Sequence, residues 1–168
     1  MLTTNSCLPT LDFCDNIIGA GAVEIAKMLS TNTCLHTLDL EGNNIGAEAT
    51  VEIAKMLNTN TCLHTLDLSY NNIGTEGAVE IAKMLSTNTC LHTLYLHCNN
   101  IRSGAVEIAT ILSTNTCLHT LDLSYNKIES EEAVEIAKML STNTFLHTLN
   151  LSRNNIGIEG AVEFVKML

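Results

Sequence analysis

Tryptophan is absent from the 168 residues, and three Phe and three Tyr are the only aromatics. With 4% aromatic and 46% apolar residues, any core must be aliphatic, and the apolar share is too large for a chain that stays disordered. Positive charge is scarce: 8 Lys and Arg stand against 18 Asp and Glu, a formal net charge of −10. That balance argues against nucleic acid and against anionic membrane surfaces, because both are bound through Lys and Arg. No apolar run approaches the ~18–20 residues of a membrane span. The opening Met1-Leu2-Thr3-Thr4-Asn5-Ser6 has no basic region and no long apolar stretch, so no secretory leader is expected. Catalytic signatures are missing too: there is no G-x-S-x-G, no Gly-rich phosphate loop and no H-E-x-x-H, so neither an enzyme nor a cofactor is expected.

What is present is repetition. Cys34-Leu35-His36-Thr37-Leu38-Asp39-Leu40 returns at Cys62–Leu68, at Cys90–Leu96 with Tyr95 for Asp, and at Cys117–Leu123. Phe145–Leu151 is a fifth copy, with Phe for Cys and Asn150 for Asp, and Cys7–Phe13 an eroded first one. The leading leucines Leu8, Leu35, Leu63, Leu91, Leu118 and Leu146 are 27, 28, 28, 27 and 28 residues apart. Within a unit, Leu63-His64-Thr65-Leu66-Asp67-Leu68 alternates as a strand does, and Ala78, Ile81, Ala82 and Leu85 recur at one helical face. Strand and helix in alternation predict parallel strands, and no single unit can bury its own apolar face, so the units must stack.

The pattern L-x-x-L-x-L-x-x-N-x-I, the Ile-Ala helix and the Asn-Thr-x-Leu return resemble ribonuclease-inhibitor-type leucine-rich repeats, such as those of NOD-like receptors and Ran GTPase-activating proteins. The resemblance spans six units. It implies an α/β fold, a right-handed horseshoe solenoid with parallel strands on the concave face and helices on the convex face. The expected domain is a single one over 1–168, uncapped at both ends.

Stacking turns each repeat position into a column. Asn16, Asn43, Asn71, Asn99, Asn126 and Asn154 are assigned a structural role, since an amide can satisfy backbone groups where the chain turns off the strand. Cys7, Cys34, Cys62, Cys90 and Cys117, with Phe145 in the sixth place, read as small reduced hydrophobes. No pair has the short spacing of a zinc site, and free thiols imply a reducing compartment, the cytoplasm. His36, His64, His92, His119 and His147 read as exposed residues entering the strands, not as a metal site, with mutual repulsion expected once protonated. Glu–Lys pairs three residues apart, such as Glu80 and Lys83, mark the solvated helix face.

The copies disagree with one another just beyond the strand. The columns Asp12, Asp39, Asp67, Tyr95, Asp122, Asn150, then Cys14, Glu41, Ser69, His97, Ser124, Ser152, then Asp15, Gly42, Tyr70, Cys98, Tyr125, Arg153 vary from unit to unit. Identical copies offer a partner no address, and all three tyrosines fall in this zone. The expected function is therefore protein binding on a concave, acidic, Tyr-bearing surface. Its candidate residues are Asp39, Glu41, Asp67, Tyr70, Tyr95, His97, Asp122, Tyr125, Asn150 and Arg153, and the partner is a basic or mixed-charge protein segment. The alternatives are a small-GTPase regulator resembling Ran GTPase-activating proteins, or a piece of a larger NOD-like sensor array. Both ends stop in phase inside a unit, which also points to self-association through open ends.

Overall fold

The computed structural model describes residues 8–167. Cys7, the first member of the cysteine column, lies outside them. Six three-residue strands, β1 Thr10–Asp12, β2 Thr37–Asp39, β3 Thr65–Asp67, β4 Thr93–Tyr95, β5 Thr120–Asp122 and β6 Thr148–Asn150, form one open sheet in chain order. Every neighbouring pair is parallel and in register, Thr against Thr and Leu against Leu. Between them run α1 Ala22–Leu29, led by a 3-10 turn at Gly19–Gly21, then α2 Ala47–Leu57, α3 Gly74–Leu85, α4 Gly104–Leu112 and α5 Ser130–Leu140; α6 Gly157–Met167 follows β6. This is the stacked strand–helix solenoid of six units that the repeat predicts. The strands are shorter than the Leu63–Leu68 alternation suggests, because the chain turns off the ladder at both ends. Inter-unit hydrogen bonds nevertheless continue on each side, as in His64 N–H to the His36 carbonyl at 2.8 Å and Leu68 N–H to the Tyr95 carbonyl at 3.0 Å.

The core lies between sheet and helices and is aliphatic throughout. From the strand side come Leu63, Leu66 and Leu68 with Ile73 at the turn; from the helix side come Ala78, Ile81 and Leu85, and the same set recurs in the units on either side except that Thr50 takes the place of Ala in the preceding one. Each of these leucines is at most 1% exposed, so burying one is worth about 1.5–3 kcal/mol. Outside the core, ion pairs Lys27–Glu24, Lys55–Glu52, Lys83–Glu80, Lys138–Glu135 and Lys166–Glu163 line the solvated helix face. Such exposed pairs stabilise by only a few tenths of a kcal/mol and serve solubility.

Two asparagine ladders close the polar accounts. In the first, Asn71 Oδ1 accepts from the N–H groups of Asn43 (3.1 Å) and Ile45 (2.8 Å), while its Nδ2 donates to the carbonyls of Leu40, Leu68 and Ser69. Asn43, Asn99, Asn126 and Asn154 bridge neighbouring units in the same way. Asn16 is exposed and, among the described residues, bonds only within its own unit, to the Phe13 and Cys14 carbonyls. The second ladder, Asn60, Asn88, Asn115 and Asn143, follows the helices. Asn88 Nδ2 donates to the Leu57 carbonyl at the end of the previous helix (2.7 Å), and its Oδ1 accepts from Cys90 and Leu91 N–H. Among the described residues no buried side-chain nitrogen or oxygen lacks a partner. No helix among them is long and apolar enough to cross a membrane.

Candidate functional site

The outward side chains of the strands form the candidate site. Parallel pairing sets Asp39 beside Asp67, Asp67 beside Tyr95, Tyr95 beside Asp122 and Asp122 beside Asn150. All five are half-buried. Each acidic member also has a local task that the sequence reading did not assign. Its Oδ1 accepts the backbone N–H two residues on: Asp39 from Glu41, Asp67 from Ser69 and Asp122 from Ser124, at 2.8–2.9 Å. This Asx-type bond turns the chain off the strand. Asn150 makes the same bond to Ser152 at 3.0 Å, so the turn needs a side-chain oxygen and not a charge.

Charge is in excess on this face. Burial, helped by Asp39 and Asp122, raises the Asp67 carboxyl above its ordinary value even though Ser69 hydrogen-bonds to it. Burial and the neighbours Asp67, Asp39 and Asp15 raise Glu41 likewise. Both carboxylates are thus less at ease ionised than in water.

Next to the acidic row lies an aromatic and cationic ridge. The His97 ring sits edge-on between Tyr70 (4.6 Å between centroids) and Tyr125 (5.0 Å), and the Arg153 guanidinium lies 5.9 Å over the Tyr125 ring. His97 Nδ1 is 2.5 Å from the Ser124 hydroxyl, which is 2.6 Å from Asp122 Oδ1. The carboxylate only accepts, so the hydroxyl donates to it and accepts from His97 Nδ1–H. His97 Nδ1 is thereby committed to Ser124, and Asp122 holds the ridge to the acidic row. Ser69 and Ser124, read as outward in the sequence, are buried beneath the ridge at 5% and 1% exposure. Tyr95 stands apart, with no aromatic contact among the described residues. The relay runs from carboxylate to hydroxyl to imidazole, with the hydroxyl in the middle and buried, which does not make a nucleophile.

The ridge tyrosines and Arg153 sit on a turn whose conformation recurs in every unit. Tyr70, Cys98, Tyr125 and Arg153 have φ of 51°, 54°, 54° and 58°, a left-handed region in which side chains other than Gly, Asn and Asp are uncommon. The equivalent places in the first two units hold Asp15 and Gly42, which suit it. Sequence reasoning could not see this conformation, although Gly42 in the column was its one trace.

On the other side of the strands the five predicted histidines stand in file. Burial, then His64 and His119, lowers the His92 pKa from 6.5. A depressed folded-state pKa means stability that is full above about 6.5 and is lost as the pH falls through the folded value. Between pH 7.5 and 5.5 the melting temperature should therefore decline, and His92→Gln should flatten the decline. A parallel curve for that variant contradicts the assignment.

In-register strand–helix units, joined by asparagine ladders and carrying a variable outer strand face, define a leucine-rich-repeat scaffold. The chain belongs to the leucine-rich-repeat family: the family's sequence pattern matches residues 31–54, 59–82, 114–137 and 142–165, more than half of the chain. Among solved structures it resembles the actin-binding site 2 domain of leiomodin-1, with a TM-score of 0.64 at 18% identity over 99% of this chain and 83% of that one. It also resembles the tropomodulin C-terminal domain of Caenorhabditis elegans, with a TM-score of 0.61 at 9% identity over 98% and 84%. No curated protein matches it in sequence. At these identities the structural likeness is one of fold.

Proposed function

We propose that the chain is a protein-binding module of the ribonuclease-inhibitor type, a single domain over 1–168 whose partner lies along the concave strand face. The observation that carries this reading is the ridge. Elsewhere the units largely repeat one another, and the left-handed turn after the strand recurs in all six, held by Asp15 and Gly42 in the first two. At Tyr70, Cys98, Tyr125 and Arg153 bulky side chains occupy a backbone region that costs of order 1–3 kcal/mol each and that glycine fills freely. Strain of that kind persists where it serves a contact, and exposed Tyr with Arg is the composition of a binding hot spot. The acidic row Asp39, Glu41, Asp67 and Asp122 selects a segment rich in Lys or Arg, because a cation relieves the carboxylate repulsion that adds to burial in raising Glu41 and Asp67. The leiomodin-1 domain is named for binding actin; that likeness supports the scaffold's use as a binding surface and does not supply the partner. The free thiols of Cys62, Cys90 and Cys117 fit a reducing compartment such as the cytoplasm.

The test uses a Lys- and Arg-rich peptide as probe, with calorimetry. Asp67→Asn keeps the bond to Ser69, as Asn150 keeps its own, so the fold stays and the melting temperature rises slightly. Peptide affinity should fall roughly tenfold, about 1.4 kcal/mol, with a similar loss in Tyr70→Ala. Glu80→Gln on the helix face should leave it unchanged. Equal losses from both faces defeat the reading.

A further inference from the structure

The strand entries carry a second feature that protein binding does not use. His36, His64, His92, His119 and His147 stand in file along the solenoid with successive ring centroids 5.2, 5.1, 5.2 and 5.3 Å apart, the second and fourth pairs stacked, the first tilted and the third edge-on. Their backbones are tied rung to rung, each N–H donating to the carbonyl of the previous histidine at 2.8–2.9 Å from His64 onward. No hydrogen bond or ion pair from any described residue engages the five rings. All ten ring nitrogens are therefore uncommitted, on a rigid frame, at a spacing set by the strands. His97, the sixth histidine, is unlike them, with its Nδ1 committed to Ser124.

Imidazole is a ligand for borderline divalent cations such as Zn²⁺, Ni²⁺ and Cu²⁺. Bonds of ~2.0–2.1 Å to each nitrogen require two ring nitrogens within about 4 Å of each other. Rings about 5 Å apart reach that by small side-chain rotations. Rungs two places apart are separated by roughly 10 Å, twice the strand spacing, and cannot. Adjacency is thus the requirement, and the ladder supplies it four times. The ligand must also be neutral, so binding belongs to neutral and higher pH.

We propose that adjacent rungs of this histidine ladder bind a divalent transition-metal cation between two imidazoles, with water completing its coordination. The ion joins side chains of neighbouring repeats. Since each repeat contacts only its neighbours, such a clamp stabilises the whole array.

Two double variants with the same number of histidines test this. His36→Asn with His147→Asn leaves His64, His92 and His119 as an adjacent run. His64→Asn with His119→Asn leaves His36, His92 and His147, no two of them adjacent. All four positions are half- or fully exposed, and their backbone bonds do not involve the rings. With NiCl₂ as the probe, followed by calorimetry and thermal melts, the first variant should bind and gain melting temperature as the original chain does. The second should bind at least tenfold more weakly and gain little. Equal affinities in the two variants, or no binding by the original chain, overturn the proposal. A thiolate-to-nickel charge-transfer band also overturns it, because the ion would then sit on the cysteines.

Discussion

Asn99→Leu should lower stability by about 3 kcal/mol, far more than its near-equal volume suggests. Asn99 is fully buried. Its Oδ1 accepts from Ile73 N–H (3.3 Å), and its Nδ2 donates to the carbonyls of Leu68 (2.7 Å), Leu96 (3.2 Å) and His97 (3.2 Å). Leucine fills the space and satisfies none of these groups, and each stranded buried group costs about 1–3 kcal/mol. For a domain of this size about 3 kcal/mol corresponds to a melting temperature roughly 6–12 °C lower. Asn16→Leu is the matched control: the same column and chemistry, but exposed and bonded only within its unit, so a change within about 0.5 kcal/mol is expected. Thermal or urea melts of the two variants decide the matter, and equal effects contradict the ladder as the source of stability.

Gly104→Val should destabilise by about 2–3 kcal/mol, through packing rather than hydrogen bonding. The fourth unit is one residue short, and α4 begins at Gly104, close against α3. A Cβ there would lie 2.7 Å from the Ala78 Cβ and 3.0 Å from the Thr75 carbonyl oxygen. Neither neighbour is the free end of a flexible side chain, so one repeat must slide away from the next. At Gly46, N-cap of α2 with extended backbone, a Cβ meets nothing within 4 Å. Gly46→Ser should therefore be neutral or gain a few tenths of a kcal/mol as a better cap. Urea midpoints of the two variants should separate clearly, and loss of stability at Gly46 but not at Gly104 contradicts this account of the close approach.

The site was only partly legible in the sequence. Tyr70, His97, Tyr125 and Arg153 were chosen because they break the repeat, and they do form one continuous ridge. That His97 of one unit lies between rings of the two flanking units depends on an offset between adjacent columns, which a linear pattern cannot express. The Asx bonds of Asp39, Asp67 and Asp122 were missed because an acidic strand position looks the same whether it faces a partner or its own backbone. The second asparagine ladder was in view as an Asn-Thr return, but its task became evident only with the preceding helix's last carbonyl 2.6–2.8 Å away.

The unit, its length, the alternation of strand and helix and the aliphatic core could be read from the residues alone. A repeat has one solution for burying its apolar face, and it is visible as period and polarity. Tertiary structure alone decided what stands next to what across the units: the ring spacing of the histidine file, the His97–Ser124–Asp122 relay, the crowding at Gly104 and the left-handed backbone beneath the ridge. These depend on distances between residues 25 or more positions apart and on torsion angles, and residue identity encodes neither until the units have stacked. The outer strand face that sequence variation singled out thus gained its physical character, a strained aromatic ridge beside crowded carboxylates, only from the fold.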